Sequence, residues 1–158
     1  SNTRLDLSQF ADTTFDFANS VLVLQHMRPE YACGYLRELL RVLRPGGIVF
    51  FSGPNWLYPV EPHYFLPFLH WLPERLAGAY LRLFGKGDAY YERSRSWWGL
   101  RSLWGRFEIH DLTLDLLKQR PDELTLNRGL AWLQRAPDGV LRPLVPLMPN
   151  FNWILRKV

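Results

Sequence analysis

Side chains able to hold or move a proton near neutral pH are few in this 158-residue chain, and the histidines are the first to weigh. His26 follows a short apolar run, and an imidazole with an ordinary pKa near 6.5 can act as base toward an acceptor hydroxyl. The structural alternative is a histidine that bonds backbone near a helix start. Tyr58, Glu61, His63 and Tyr64 cluster in a stretch read as a loop, and loops at strand ends carry binding groups. They form either a substrate-binding set or a structural aromatic loop. Ser20, Val21 and Leu22 close a strand-like run, where open α/β sheets bind ligands; buried strand residues are the other reading. No nucleophilic triad is present. Gly85-Lys86-Gly87-Asp88 reads as a turn too short for a phosphate loop. Cys33, the one cysteine, excludes an intramolecular disulfide framework and any multi-cysteine zinc site and reads as a small packed residue.

Composition narrows the classes. With 47% hydrophobic and 22% charged residues the chain is globular and of single-domain length. Its net charge is +4, yet Lys86, Lys118 and Lys157 are the only lysines, and the arginines are scattered singly. That pattern reads as a solvated face, not a nucleic-acid footprint. The longest apolar stretches, 48–51 and 65–73, fall far short of the ~20 residues that span a bilayer. The start lacks an initiator Met and a signal-peptide pattern, so a cytoplasmic protein whose true beginning lies upstream is expected.

The elements that position these residues follow from periodicity. Residues 15–23 read as a strand buried on both faces. From Pro29, apolar Ala32, Leu36, Leu39, Leu40 and Leu43 recur near period 3.6, with Arg37, Glu38, Arg41 and Arg44 mainly opposite, as in an amphipathic helix. Pro45-Gly46-Gly47 stops it, and 48–52 form a second buried strand, completing a βαβ unit. Prolines 59, 62, 67 and 73 then interrupt an aromatic segment of loop and short helices. The best of these is 73–84; Ser96 caps another over 97–105. Residues 107–114 alternate like a strand, 127–135 look helical, and 151–158 read as a closing strand. The class is α/β.

Three pieces in fixed order carry a resemblance: Thr14-Phe15-Asp16, Leu24-Gln25-His26-Met27, and Leu39-Leu40-Arg41-Val42-Leu43-Arg44-Pro45-Gly46-Gly47 running on to Gly53-Pro54-Asn55. Together they resemble the carboxyl-terminal part of a class I S-adenosylmethionine-dependent methyltransferase, of the broad group that includes quinone and small-molecule O-methyltransferases. The resemblance implies one partial domain over 1–158. It is the second half of a Rossmann-like sheet, strands four to seven, with 56–104 inserted as a helical cap. The family's glycine-rich cofactor loop is not found in the chain and is expected upstream of Ser1.

By the same resemblance, Asp6 would accept from the adenine amino group while the Leu7 N–H donates to the ring. Ser20, Val21 and Leu22 would hold the methionine end of the cofactor. His26 matches the histidine of a family Glu-His pair, and Gln25 replaces the glutamate. Leu22 stands where metal-dependent members carry a second carboxylate, so no metal site is expected. Glu61-Pro62-His63-Tyr64 resembles the acceptor loop of quinone-methyltransferase-like members. The expected activity is methyl transfer from S-adenosylmethionine to a small-molecule or lipid-like acceptor, at oxygen. The alternative is a non-catalytic interaction module that binds a partner chain through its aromatic surface, with the open apolar edge of the first strand inviting pairing. The aromatic cap either covers an apolar acceptor, touches a membrane surface or forms a satellite core; a homo-oligomer is a further expectation.

Overall fold

The computed structural model describes residues 7–21, 23, 26, 27, 29–119 and 135–158. Among them a four-stranded sheet has the order β1-β2-β6-β5. Strand β1 (Phe15–Val21) runs parallel to β2 (Leu43–Pro54), joined through helix α1 (Pro29–Val42). Strand β6 (Asn150–Lys157) inserts between β2 and β5 (Phe107–Asp111), antiparallel to both.

The core is written in two periods. Along β2 and β6, Val49, Phe51, Phe151, Trp153 and Leu155 are buried at alternate positions, while Ile48, Phe50, Asn152 and Ile154 between them are half-buried. Helix α1 supplies Ala32, Leu36 and Leu39 from its inward stripe, and Trp104 completes the cluster against Phe51 and Phe107. Burying a Phe side chain such as Phe51 or Phe151 contributes about 1.5–3 kcal/mol relative to leaving it exposed. Lys157 closes the end of α1, its Nζ donating to the carbonyls of Leu40 and Leu43 at 2.5 and 2.7 Å. The Leu40 carbonyl, in the last turn of α1, has no intrahelical donor and carries part of the negative end of the helix dipole.

Several expectations need correction. Strand β1 is not buried on both faces: Phe17 and Val21 are exposed, because β1 pairs only with β2 among the described residues and its register shifts between Phe15 and Phe17. Leu43 belongs to β2 and not to the helix, and the Pro-Gly-Gly segment is absorbed into that long strand. Gly46 takes φ +77°, and a Cβ on Gly47 would stand 2.9 Å from the Arg44 carbonyl oxygen, so the bend admits glycine at both positions. Cys33 is exposed, since it lies about 100° around α1 from buried Ala32. The strand read as 107–114 ends at Asp111, whose Oδ1 accepts the Thr113 N–H at 3.0 Å and starts α4 (Thr113–Gln119). Most of the helix read over 127–135 lies outside the described residues.

Between β2 and β5 lies the segment expected to form a cap, and it is called the cap below. It contains the short pair β3 (Val60–Glu61) and β4 (Leu66–Pro67), a 3-10 turn over Leu69–Trp71, α2 (Glu74–Leu83) and α3 (Trp97–Leu103). Ser96 caps α3 as its sequence suggests, its Oγ accepting from the Gly99 N–H at 3.3 Å. Leu66, Leu69, Ala77, Leu81 and Tyr90 form the cap's own small core. After α4 come α5 (Asp138–Leu141) and a 3-10 segment over Arg142–Leu147, which lead into β6. No helix among the described residues is long and apolar enough to cross a membrane.

Candidate functional site

The site grows from the carboxyl end of β2. Asn55, 2% exposed, fixes where the cap leaves the sheet: its Nδ2 donates to the carbonyls of Pro146 and Met148, both at 2.8 Å, and its Oδ1 accepts from the Leu57 N–H. From that anchor the chain enters β3, which ends on Glu61. The Glu61 side chain is fully buried, and Oε2 accepts the backbone N–H groups of His63 and Tyr64, both at 2.7 Å. Its other oxygen, Oε1, lies 2.7 Å from His63 Nδ1. A carboxylate only accepts, so in the neutral imidazole Nδ1 carries the proton and Nε2 keeps the lone pair. The Glu61-Pro62-His63-Tyr64 turn therefore builds an oriented histidine–carboxylate dyad.

A second pair lies against the first. The His26 ring meets the His63 ring edge-on with centroids 5.1 Å apart, and His26 Nδ1 is 3.5 Å from Glu92 Oε1. Residues from three separate segments thus form a row in which Glu61, His63, His26 and Glu92 each touch the next. Tyr64 and Tyr90 stand beside it with ring centroids 6.0 Å apart. Burial, reinforced by the charges of Glu92 and Glu61, pushes both phenols above the ordinary tyrosine range, so both stay protonated at neutral pH. Among the described residues, no group of three or more His, Cys, Asp or Glu converges closely enough to hold a metal ion.

Two cavities open onto this row. A cleft of about 790 Å³ is lined by His26 and Tyr90 together with Arg75, Arg82 and Arg93. A smaller chamber of about 220 Å³ lies between Trp56, His70, Tyr90 and Glu92. Tyr90 and Arg93 line both. Arg93 is already ion-paired with Glu74.

His70 is held low by burial, partly offset by backbone hydrogen bonds to Trp56 and Tyr58 and by the Glu61 charge. The unfolded chain therefore binds a proton that the folded one refuses. Stability should fall as pH drops through about 6.5 toward the depressed folded value, and His70→Gln should flatten that part of the curve. Denaturant midpoints between pH 7.5 and 5.5 for the two proteins would read this directly.

The residues expected from the sequence separate into groups. His26, Glu61, His63 and Tyr64 come together. Tyr58 stands apart, half-buried, with its N–H on the Asn55 carbonyl. Ser20 is fully buried near the end of β1 with its Oγ unpartnered, and Val21 next to it is exposed. The Leu7 N–H is not open as expected: it donates to Glu38 Oε2 at 3.2 Å, within a network in which Arg41 Nη2 also holds the Leu7 carbonyl at 2.9 Å. Asp6 and Leu22 lie outside the described residues.

Sequence reasoning missed Glu92, read Tyr90 only as one of the aromatic residues of the 56–104 segment, where it joins the small core, and gave no role to His70. A signal for the first two was present: in an extended segment residues two apart share a face, and here Tyr90 and Glu92 turn inward while Tyr91 is 77% exposed.

Comparison with known proteins agrees with this architecture. Residues 2–51 match the model of a methyltransferase-domain family. Two uncharacterized Mycobacterium tuberculosis proteins are 38% identical over 58 residues, which is 36% of this chain and 19% of theirs. The chain thus spans about a fifth of the length of these relatives at the matched region. Among solved structures, an S-adenosylmethionine-dependent methyltransferase from Mesorhizobium loti superimposes with TM-score 0.54 at 16% identity, covering 99% of this chain and 68% of that one. A methyltransferase from Archaeoglobus fulgidus gives TM-score 0.49 at 12% identity, over 96% and 63% of the two chains.

Proposed function

We propose that this chain, by its fold and by the family match over residues 2–51 part of a class I S-adenosylmethionine-dependent methyltransferase, takes part in methyl transfer to a hydroxyl of a small-molecule or lipid-like acceptor. One observation carries the reading: the Glu61–His63 and His26–Glu92 pairs meet through an edge-on contact of their rings beyond the carboxyl end of β2, the side on which open α/β sheets bind ligands, and His26 of this row lines the cleft. At the end of the neighbouring β1, the buried and unpartnered Ser20 Oγ fits a polar end of the cofactor, because a buried hydroxyl without a partner is costly.

Bound S-adenosylmethionine supplies an electrophilic methyl group, so that alignment with the acceptor does most of the work. The protein's task is to hold the acceptor oxygen and remove its proton. His63, oriented by Glu61, offers Nε2 as the proton acceptor, and the Glu61 carboxylate steadies the imidazolium that results. His26 against the His63 ring, with Glu92 behind it, places a second acceptor one residue away.

The test is a calorimetric titration with S-adenosylhomocysteine followed by transfer of labelled methyl from S-adenosylmethionine to a panel of hydroxyl acceptors. Saturable binding with transfer supports the reading; binding with no transfer to any acceptor removes the enzymatic part. The second reading, a non-catalytic interaction module, draws on exposed Phe17 and Val21 along β1.

Contact of the cap with a membrane surface belongs to the same proposal. Phe65 and Phe68 take φ of +54° and +60°, a backbone cost for non-glycine residues, and yet are 71% and 51% exposed; Trp71 packs on Phe68 at 5.0 Å and is also exposed. Over 56–104 the exposed charges are six basic and two acidic, because Glu61 is buried and Glu92 nearly so. Co-sedimentation with anionic but not neutral vesicles is the expected result, and equal sedimentation with neither would remove the lipid contact.

A further inference from the structure

Arginines that stand singly in the sequence do not all stay apart in the fold. An open cleft of about 660 Å³ lies at the opposite end of the sheet from the histidine row, where α1 ends, β2 begins and β6 closes against β5. Arg37, Arg41, Arg106 and Lys157 line it, so every charged side chain on its wall is basic. Arg37 and Arg41, four residues apart, share one face of α1. The register that pairs Phe107 with Lys157 brings Arg106 to the same end of the sheet.

Two of these cations are fixed by the fold and two are not. Arg41 spends its donors on Glu38, Asp12 and the carbonyls of Leu7 and Phe10, so its charge is answered. Lys157 is held on neutral groups, the carbonyls of Leu40 and Leu43, which leaves its third proton without an acceptor among the described residues. Arg37 and Arg106 are exposed and, among the described residues, make no hydrogen bond or ion pair. Arg37, Arg106 and Lys157 are thus three positive charges that no side-chain acid balances. A carboxylate at Val158, which also lines the cleft, would answer one of the three.

The wall limits the ligand. A cation would be repelled, and an uncharged group would leave the charges unanswered. The donors come from three elements, so an anion with oxygens facing several ways uses more of them than a flat carboxylate does. A phosphoryl group offers three oxygens and up to two charges, and a guanidinium fork matches it bidentately.

We infer that this cleft is a second binding site, for a phosphate group, with Arg37 and Arg106 as the residues that engage it and Lys157 as its fixed cation. None of its residues belongs to the histidine row, so the site stands apart from the methyl-transfer reading. The phosphate arrives either on a soluble ester or as a lipid head group; the anionic phosphoryl chemistry is common to both.

The probes are inorganic pyrophosphate, titrated calorimetrically, and phosphatidylcholine vesicles with and without phosphatidic acid, all at one ionic strength set with sodium chloride. Saturable binding is expected, weakened about tenfold in Arg37→Gln and in Arg106→Gln, each of which deletes one charge-assisted contact. Neither arginine has a partner in the fold, so both variants should keep the wild-type melting temperature and the wild-type response to S-adenosylhomocysteine. Pyrophosphate binding lost in both variants identifies a soluble phosphate; sedimentation with the phosphatidic acid vesicles alone, lost in both, identifies a lipid head group. Either supports the site. Binding of neither probe overturns the inference, as does binding that either variant leaves unchanged, which for vesicles would point to the cap instead. Binding that sodium chloride abolishes between 0.05 and 0.15 M in wild type and variants alike would mean simple charge screening, and would overturn it too.

Discussion

Glu61→Ala should destabilise the fold by about 2–4 kcal/mol, the largest effect expected of any single polar substitution in the cap. The carboxylate is fully buried and serves three donors at 2.7 Å: the N–H groups of His63 and Tyr64 and His63 Nδ1. Truncation strands two backbone donors in a half-buried turn and frees the imidazole at once. Hydrogen bonds to a charged acceptor contribute about 1.5–3 kcal/mol each; two of these donors can partly reach water, which holds the total below their sum. The turn also sets the β3–β4 pair, so denaturant unfolding should show a lower midpoint. Glu61→Gln separates fold from chemistry, since its amide oxygen can still accept from the two N–H groups while the charge that steadies a histidine cation is gone. An unchanged midpoint for Glu61→Ala would mean that the turn is held by its backbone alone.

His63→Ala should lower kcat for methyl transfer by about 10²–10⁴-fold with little change in KM, the usual contribution of a positioned general base. The imidazole is held through Nδ1 by the buried carboxylate, and the His26 ring packs on its edge. Removing it takes away a proton acceptor that matters as the acceptor oxygen is alkylated, not a group that binds the acceptor. Exogenous imidazole should restore part of the rate. A change confined to KM would reassign His63 to acceptor binding, and an unchanged rate would pass the role to His26. His26→Ala is then the natural companion: its pairing with Glu92 at 3.5 Å is looser and its side chain half exposed, so a smaller loss is expected.

Much of this was legible in the chain itself, for local reasons. Period 3.6 over Ala32, Leu36 and Leu39 made α1 a helix, Ser96 capped α3, and the apolar alternation of 151–158 became β6. Glu61 and His63 form their dyad within one turn, so two residues of spacing were enough to place it. Where local pattern misled, a longer-range partner was responsible. Residues 15–21 are as apolar as a central strand, but burial depends on what lies on each side, and β1 has a single neighbour among the described residues. Asp111 could continue a strand or cap a helix, and its hydrogen bond to Thr113 N–H decided for the cap.

Sequence by itself thus determined the α/β class, the order of elements and the kind of chemistry available, because helix and strand periods, caps and tight turns are properties of neighbouring residues. Only the tertiary structure decided that β6 lies between β2 and β5, that His26 meets His63 across α1 and β2, and that Glu92 and Tyr90 return from the far side of the cap to complete the row and the chamber. Those contacts join residues as far apart as His26 and His63 or His26 and Glu92, or strands from distant parts of the chain. Nothing in local propensity encodes them; they follow from burying Trp104, Trp153 and Phe51 together and from seating the cap on the anchor that Asn55 makes with Pro146 and Met148.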